Sequence, residues 1–363
     1  MSWLFSYACA WITATLLAAF LTGVCRTIAP RFNLLDRPRK EAHKTHQKPT
    51  PVAGGIGMCL AWLLTLGIGI LFSVAGRSLL PPDFDFVTPG LQNIRNNLLL
   101  ITVCATLITL FGTLDDRTPM RAGKKFFLQF LIAAISAAWG PRLTMGMSNP
   151  ILCWILTVLW IMTVINALNF FDNMDGLAGG AAMIAALFLL LIASYRGQHF
   201  VAMLAAATGG SSMGFLFHNR PPAKIFMGDG GSHFLGYLLA LICILTTFYV
   251  SGESLTCTPV LIPLLVLGIP LFDAVMVVLI RLKNKQPFYI GDNRHISHRF
   301  SKLGLSRPHA VLLVCLLCFI TGAGAVTLLW LPPIGACVIF AQAGAMLAVI
   351  SIIQFNLPEG KQK

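Results

Sequence analysis

Two adjacent aspartates, Asp115 and Asp116, stand at the end of an apolar run in the stretch FGTLDDRTPM. Neighbouring carboxylates repel one another unless a divalent cation or a basic group offsets their charge. Lys125 follows nine residues later and could supply a cation that binds phosphate. The pair therefore indicates a metal or phosphate site, although a solvated helix end would also accommodate it.

Polar residues recur at steps of three in the stretch INALNFFDNMDGLAGG, at Asn166, Asn169, Asp172 and Asp175. Residues three apart on a helix are neighbours, so we expect a polar stripe where this apolar helix ends. Carboxylate and amide oxygens suit Mg²⁺, and they also bind ribose or base edges. Polar packing between helices is the alternative explanation.

Two further aspartates lie in or beside apolar runs. Asp229 stands between glycines in IFMGDGGSHFLG, where a flexible backbone can approach a phosphate and the N-terminus of the next helix favours negative charge. Asp273 lies within a later apolar run, two helical turns before Arg281. A structural ion pair and a part in the site explain Asp273 equally well.

Histidines and basic residues are grouped in two more segments. The segment FYIGDNRHISHRFSKLGL carries Arg294, His295, His298 and Arg299. This group could hold a pyrophosphate, whereas zinc fits poorly because no cysteine or nearby glutamate accompanies the two histidines. The segment HKTHQKPTPVAGGIG carries His43, Lys44 and His46. These three side chains either bind substrate or anchor the chain at the membrane through their positive charge.

The elements that hold these groups must be membrane helices. Of 363 residues, 56% are hydrophobic and 11% charged, and the mean hydropathy is +0.79. About 20 helical residues cross a bilayer, and apolar runs of that length recur along the chain. We predict eleven spans, at 3–25, 54–76, 94–114, 126–140, 150–169, 178–195, 199–217, 232–250, 259–281, 310–330 and 334–354.

Charge gives these spans an orientation. With the N-terminus outside, only four of the 26 lysines and arginines face outward, in agreement with the positive-inside rule. All the polar segments described above then lie on the inner face, where they can form one composite site. The net charge of +13 lies in these loops, so we expect membrane lipid and a phosphorylated substrate as partners, and no nucleic acid.

The predicted fold is therefore an all-α integral membrane protein, a single polytopic domain over 1–363. It consists of about eleven transmembrane helices in a bundle with an active-site cleft at the cytoplasmic face. Ten cysteines are scattered through the apolar runs, and buried small side chains explain them better than metal ligands do.

Taken in order, the polar segments resemble the polyprenyl-phosphate N-acetylhexosamine-1-phosphate transferase superfamily, and especially its undecaprenyl-phosphate GlcNAc-1-phosphate transferase branch. From about His43 to Arg307 the chain follows the family pattern: a proline–glycine segment, LDD, NxxNxxDGxDG, FMGDxGS and a histidine loop. The resemblance implies that GlcNAc-1-phosphate, or a close N-acetylhexosamine-1-phosphate, passes from a UDP-sugar to undecaprenyl phosphate and UMP is released. The product would start cell-envelope polysaccharide synthesis.

The same resemblance implies a cofactor, a location and several residue roles. The cofactor is Mg²⁺, with Mn²⁺ as an alternative, and the location is the bacterial inner membrane; a homodimer is one oligomeric state that the sequence allows. Asp115 and Asp116 match an aspartate pair proposed to activate the lipid phosphate or to act as nucleophile. Lys125 matches a lysine proposed to hold the pyrophosphate. Asn169 and Asp229 match positions implicated in Mg²⁺ coordination.

The remaining matches concern the nucleotide and the histidine loop. Asp172 and Asp175 match the carboxylates of the nucleotide-binding loop. His295 and His298 match the outer residues of the histidine motif, and these four side chains are predicted to be catalytic.

Two positions depart from the family pattern, and three other functions remain to be weighed. Asn173 replaces a glycine, and Ser297 replaces a further histidine. The phospho-N-acetylmuramoyl-pentapeptide transferase reaction is the alternative within the superfamily. A CDP-alcohol phosphotransferase would need Ala-Arg after the DG motif, where this chain has Leu177, Ala178 and Gly179. A non-catalytic lipid or ion transporter fits poorly with polar clusters on one face only.

Overall fold

The computed structural model describes residues 3–37, 49–75, 87–144, 146–248, 257–285 and 295–356. These residues are mainly α-helical and divide into two compact units, Met1–Thr246 and Thr247–Lys363. The helices of the first unit are α1 (Trp3–Ile28), α2 (Gly54–Ala75), α3 (Val87–Arg117), α4 (Ala122–Trp139), α5 (Pro150–Phe171), α6 (Leu177–Tyr195), α7 (His199–Asn219) and α8 (Gly228–Leu245). A 3₁₀ turn (Ala29–Phe32) and two short antiparallel strands, β1 (Leu35–Asp36) and β2 (Thr50–Pro51), lie between α1 and α2.

Helix α8 is the centre of the first unit. It packs against α2, α3, α5, α6 and α7, and most of its side chains are buried. Helix α1 packs against α2 and α7, and it exposes apolar side chains such as Leu16 and Phe20 along its length. Exposed apolar side chains along a helix of this length are expected where lipid is the solvent.

Local sequence explains where the helices near the polar segments begin. At the start of α5, the side-chain oxygen of Asn149 accepts hydrogen bonds from the backbone N–H groups of Ile151 and Leu152, and Pro150 occupies the first helical position. Helix α6 follows Gly176, whose φ of +79° suits a residue without a Cβ atom. The carboxamide oxygen of Asn219, at the end of α7, accepts a hydrogen bond from the N–H of Gly176.

The second unit contains a 3₁₀ turn (Thr258–Leu261) and the remaining five helices. They are α9 (Ile262–Val266), α10 (Gly268–Lys283), α11 (Ile296–Lys302), α12 (Arg307–Thr327) and α13 (Pro333–Asn356). Helix α12 packs against α9, α10 and α11. The chain bends by 68° between α9 and α10.

The all-α membrane fold predicted from the sequence is confirmed, with a different number of spans. Among the described residues, nine helices are long and apolar enough to cross a membrane, or ten if the bent α9–α10 segment counts as one. The predicted span at 259–281 is thus broken rather than continuous. The predicted span at 126–140 is helix α4, but its 18 residues include Lys124, Lys125 and Gln129, and it is not among the nine.

Candidate active site

The ends of α3, α4, α5 and α8 in the first unit meet around Lys125, where two of the predicted carboxylates come together. Asp115 lies in the last turn of α3, Lys125 in the first turn of α4, and Asp229 in the first turn of α8. The Lys125 ammonium group forms an ion pair with Asp229 Oδ2 and lies 3.4 Å from Asp115 Oδ2. All three side chains are only partly exposed, so water screens these charges less than it would at the surface.

Asp116 holds the turn that presents Asp229. Its Oδ1 accepts a hydrogen bond from the backbone N–H of Asp229 (2.8 Å) and its Oδ2 accepts one from Gly230 (3.2 Å). N–H groups in the first turn of a helix have no acceptor within the helix itself, so the Asp116 carboxylate caps α8 by accepting from these two. Gly228 precedes the turn with a φ of +69°, and a Cβ atom there would contact the Asp116 carboxylate. Both oxygens of Asp116 are therefore engaged with the backbone.

Close helix packing also depends on Gly112 of α3. A Cβ atom at this position would lie 2.5 Å from the backbone carbonyl carbon of Asp229. The glycine thus lets the end of α3, which carries the aspartate pair, approach the start of α8.

The proline–glycine segment at the start of α2 also holds the Asp229 turn, through backbone hydrogen bonds. The N–H of Phe226 donates to the carbonyl oxygen of Pro51 (2.8 Å), and the N–H of Gly54 donates to that of Phe226 (3.0 Å). The N–H of Gly55 donates to the carbonyl oxygen of Met227 (3.0 Å). This segment positions the Asp229 turn through its backbone.

The predicted polar stripe on α5 divides into separate contacts. Asn169 donates to Asp229 Oδ1 (2.6 Å) and joins the cluster around Lys125. Asn166 instead donates to Gln129 Oε1 (2.8 Å), a turn deeper in the bundle. Asp175 lies beyond the end of α5, and its Oδ2 accepts a hydrogen bond from the N–H of Ala223 (2.9 Å). Of the two asparagines, only Asn169 contacts the Asp229 carboxylate.

Asp172 is the C-cap residue of α5, and negatively charged side chains lie near its carboxyl group. Burial, with the negative charges of Asp229 and Asp175 nearby, raises the pKa of its carboxyl group to about 8. A raised pKa of this kind is typical of functional sites, where charges are brought together before a ligand compensates them. Asp172 therefore holds a proton at neutral pH in the absence of a cation.

Sequence reasoning missed a buried polar chain next to this cluster. His233 lies one turn after Asp229 on α8, and its Nε2 accepts a hydrogen bond from Gln129 Nε2 (3.1 Å), whose Oε1 is bonded to Asn166. Ser136 Oγ and Tyr237 OH are hydrogen-bonded at 2.8 Å further along the same two helices. Ionisable and amide side chains within apolar runs were the signal that could have identified this chain.

In the second unit, the structure describes three of the four residues predicted in the histidine segment. His295 and Arg299 are buried, and the ring centroids of His295 and His298 lie 6.5 Å apart. Burial and the positive charges of His295, Arg307 and Lys302 lower the pKa of His298 to about 4. His298 is therefore neutral at pH 7, and its contact with pyrophosphate stays a prediction.

Four predicted residues lie outside the described part of the chain. They are His43, Lys44, His46 and Arg294. Their proposed contacts with substrate remain predictions.

The described residues fit Mg²⁺ by the chemistry of their donors. No three histidine, cysteine, aspartate or glutamate side chains among them are already arranged to hold a metal ion. However, Mg²⁺ is commonly bound by one or two carboxylates with water in the other positions. Asp115, Asp229 and the amide of Asn169 supply such oxygen donors, and the carboxylates here outnumber the single nearby Lys125.

Comparison with known proteins identifies the family to which the chain is similar. Residues 98–247, which include the aspartate pair and the Asp229 turn, match the model of glycosyl transferase family 4. The chain is 32% identical to a probable undecaprenyl-phosphate N-acetylglucosaminyl 1-phosphate transferase of Bacillus subtilis, over 88% of this chain and 84% of that protein. It is 28% identical to a decaprenyl-phosphate N-acetylglucosaminephosphotransferase of Mycolicibacterium smegmatis, over 97% and 90%. It is 30% identical to a phospho-N-acetylmuramoyl-pentapeptide-transferase of Caldicellulosiruptor bescii, over 75% and 82%.

Proposed function

This chain belongs to glycosyl transferase family 4, within the polyprenyl-phosphate N-acetylhexosamine-1-phosphate transferases, and from that premise we propose a reaction for it. The enzyme transfers N-acetylglucosamine-1-phosphate from UDP-GlcNAc to undecaprenyl phosphate. An oxygen of the lipid phosphate attacks the phosphorus that bears the sugar, the bridging P–O bond breaks, and UMP leaves. The product is a lipid-pyrophosphate-sugar.

The observation that supports this proposal most is the cluster of Asp115, Asp229 and Asn169 around Lys125, at the ends of four helices. Both substrates are anions, so their approach is unfavourable until cations neutralise them. Lys125 is a cation held between two carboxylates, so its position is defined before substrate binds. We propose that it moves from Asp229 to the phosphates of the UDP-sugar.

The two adjacent aspartates have different tasks in this proposal. Asp116 holds the Asp229 turn, because both of its oxygens accept backbone hydrogen bonds. Asp115 accepts one from the N–H of Met120 and faces Lys125 with its other oxygen. Asp115 is therefore the carboxylate that is open to the substrates. It takes a proton from the lipid phosphate, which then attacks directly, or it itself attacks the phosphorus that bears the sugar. In the second case UMP leaves as the aspartyl ester forms, and an oxygen of the lipid phosphate then displaces the carboxylate.

We further propose that Asp229 and Asn169 hold Mg²⁺, with Mn²⁺ as a substitute. When bound, this ion supplies positive charge to the phosphate oxygens as negative charge develops on the leaving UMP. For Asp229 and Asn169 to hold the ion, Lys125 would leave Asp229 and Asn169 would present its amide oxygen. Asp172 and Asp175 face the nucleotide, and the histidine segment contacts the pyrophosphate.

Location follows from the charge asymmetry of the loops. We propose that the chain lies in the bacterial inner membrane with the N-terminus outside and the cluster at the cytoplasmic face. The lipid acceptor is confined to the same plane, and this orientation lowers the entropic cost of bringing the substrates together.

A transfer assay tests the donor and the cluster together. Purified protein is incubated with undecaprenyl phosphate, Mg²⁺ and radiolabelled UDP-GlcNAc or UDP-MurNAc-pentapeptide, and the labelled lipid is extracted. We expect label from UDP-GlcNAc to enter the lipid fraction. Transfer from UDP-MurNAc-pentapeptide alone would assign the reaction named for the relative from Caldicellulosiruptor bescii.

Adjacent lysines give this assay a matched control. Lys124 is exposed at the start of α4, whereas Lys125 is paired within the cluster. We expect Lys125→Met to lose about 100-fold or more in turnover, as the loss of a preorganised charge commonly does, and Lys124→Met to stay near wild type. Equal activity of the two variants would remove Lys125 from the proposed mechanism.

A further inference from the structure

Asp273 is a buried carboxylate whose two oxygens are both engaged at the start of the histidine segment. It lies in the second turn of α10 and has no solvent exposure. Its Oδ2 lies 2.6 Å from His295 Nδ1, and its Oδ1 accepts a hydrogen bond from the backbone N–H of Ile296 at 2.8 Å. Ile296 is the first residue of α11. One carboxylate therefore fixes both a helix start and an imidazole ring.

A buried carboxylate in an apolar helix needs an explanation beyond packing. Desolvation of the charged group is costly, and an apolar side chain of similar size would fill the same space without that cost. Capping α11 alone would not require a carboxylate, since an amide oxygen also accepts a backbone hydrogen bond. The contact with His295 is the one that uses the negative charge.

The contact determines which atom of the ring is left for other partners. A carboxylate only accepts, so His295 Nδ1 must carry the hydrogen and donate it. Asp273 thereby fixes the orientation of the ring and leaves Nε2 as a hydrogen-bond acceptor. Carboxylate–histidine pairs orient catalytic and metal-binding rings in the same way.

The neighbouring His298 provides a contrast within the same segment. Burial and the positive charges of His295, Arg307 and Lys302 lower its pKa to about 4, so it remains neutral at pH 7. Of the two rings, His295 is the one paired with a carboxylate. His295 is therefore the ring of the two whose orientation and tautomer are fixed by a carboxylate.

We propose that Asp273 is the positioning residue for His295, and that it holds the ring so that Nε2 faces the substrate as a hydrogen-bond acceptor. This inference rests on the proposed sugar-1-phosphate transfer. Asp273 acts through His295 and does not itself contact substrate.

Three variants separate positioning from a purely structural role. Asp273→Asn keeps an oxygen for the N–H of Ile296 but places an amide NH₂ against His295 Nδ1, which removes the acceptor that the ring needs. We expect it to purify with near wild-type thermal stability and to lose about 100-fold in kcat/KM, because a small misplacement of a contacting group has this effect. We expect a similar loss for His295→Ala, and no further loss in the double variant.

A spectroscopic readout tests the pair without using activity. In protein labelled with ¹⁵N-histidine, we expect one strongly deshielded Nδ1–H signal from the short hydrogen bond to Asp273. It should disappear in Asp273→Asn and in His295→Ala. It should persist in His309→Gln, a control in which the lost ring is exposed and bonded to Ser306 instead.

The outcomes are distinguishable. Near wild-type kcat/KM for Asp273→Asn, or losses that multiply in the double variant, would overturn the positioning role. Absence of the deshielded signal from the wild-type protein would overturn the pair itself. A wild-type protein that transfers no sugar-phosphate but shows the signal would overturn the proposed reaction and leave the Asp273–His295 pair in place.

Discussion

Replacement of Gly228 by alanine should separate backbone strain from disruption of the carboxylate cluster. The residue has a φ of +69°, so any L side chain costs about 1–2 kcal/mol there. A Cβ atom would also lie 2.8 Å from Asp116 Cγ, whereas non-bonded carbon atoms normally stay about 3.5–4.0 Å apart. The Asp116 carboxylate must therefore move by about 1 Å and weaken its hydrogen bonds to Asp229 and Gly230. A displacement of about 1 Å in a catalytic arrangement commonly costs about 100-fold in rate.

Gly197 provides the matched control. Its φ is +66°, and a Cβ atom there would meet nothing within 4 Å. Both Gly228→Ala and Gly197→Ala should lower the thermal stability of the purified protein through backbone strain, but only Gly228→Ala should lose about 100-fold in transfer of radiolabelled sugar-phosphate to undecaprenyl phosphate. Activity of Gly228→Ala within threefold of Gly197→Ala would refute the argument that Asp116 positions the Asp229 turn.

Four further outcomes are expected. The Asp229→Asn variant should insert and purify normally. Its turnover should fall at least about 100-fold, and it should require more Mg²⁺. Near-normal activity at low Mg²⁺ would remove this residue from the metal site. Because the folded pKa of Asp172 is about 8, above that of a free aspartate, metal-free protein should lose stability as pH rises from about 4 to about 8. Mg²⁺ binding at pH 7 should release up to about one proton, detected by calorimetry in buffers of different ionisation enthalpy; a buffer-independent heat would contradict it. In a cysteine-depleted background, Thr118→Cys and Ser148→Cys, on either side of α4, should show opposite accessibility to an impermeant thiol reagent; equal accessibility would mean that α4 does not cross the membrane.

The helices that surround the site could be predicted because membrane spans are a local property. An apolar run of bilayer length must satisfy its backbone hydrogen bonds internally, so it forms a helix whatever its neighbours are. Alternation of the spans then places LDD, NxxN and FMGD at the same membrane face. The structure differs from the prediction at α4, whose lysines keep it out of the nine spans, and at the α9–α10 segment, where a 68° bend interrupts the predicted span.

The pairing of polar side chains could not be read from spacing. Each helical residue turns by about 100°, so residues at steps of three drift by about 60° per step, and only neighbours in the series point in similar directions. Asn169 therefore meets Asp229, while Asn166 meets Gln129 on another helix. Asp175 lies beyond α5 altogether.

The sequence by itself determined that this is a polytopic membrane protein with carboxylates, amides and basic groups at the ends of its helices. Hydropathy and the order of motifs are properties of the sequence and do not depend on packing. Tertiary structure decided that Lys125 pairs with Asp229, that Asp116 caps the helix carrying Asp229, and that Asp273 holds His295. These contacts depend on the rotation of each helix about its axis and on how closely glycines let two backbones approach. Helix rotation and backbone approach are both set by the packing of many side chains, so a local sequence pattern does not predict them.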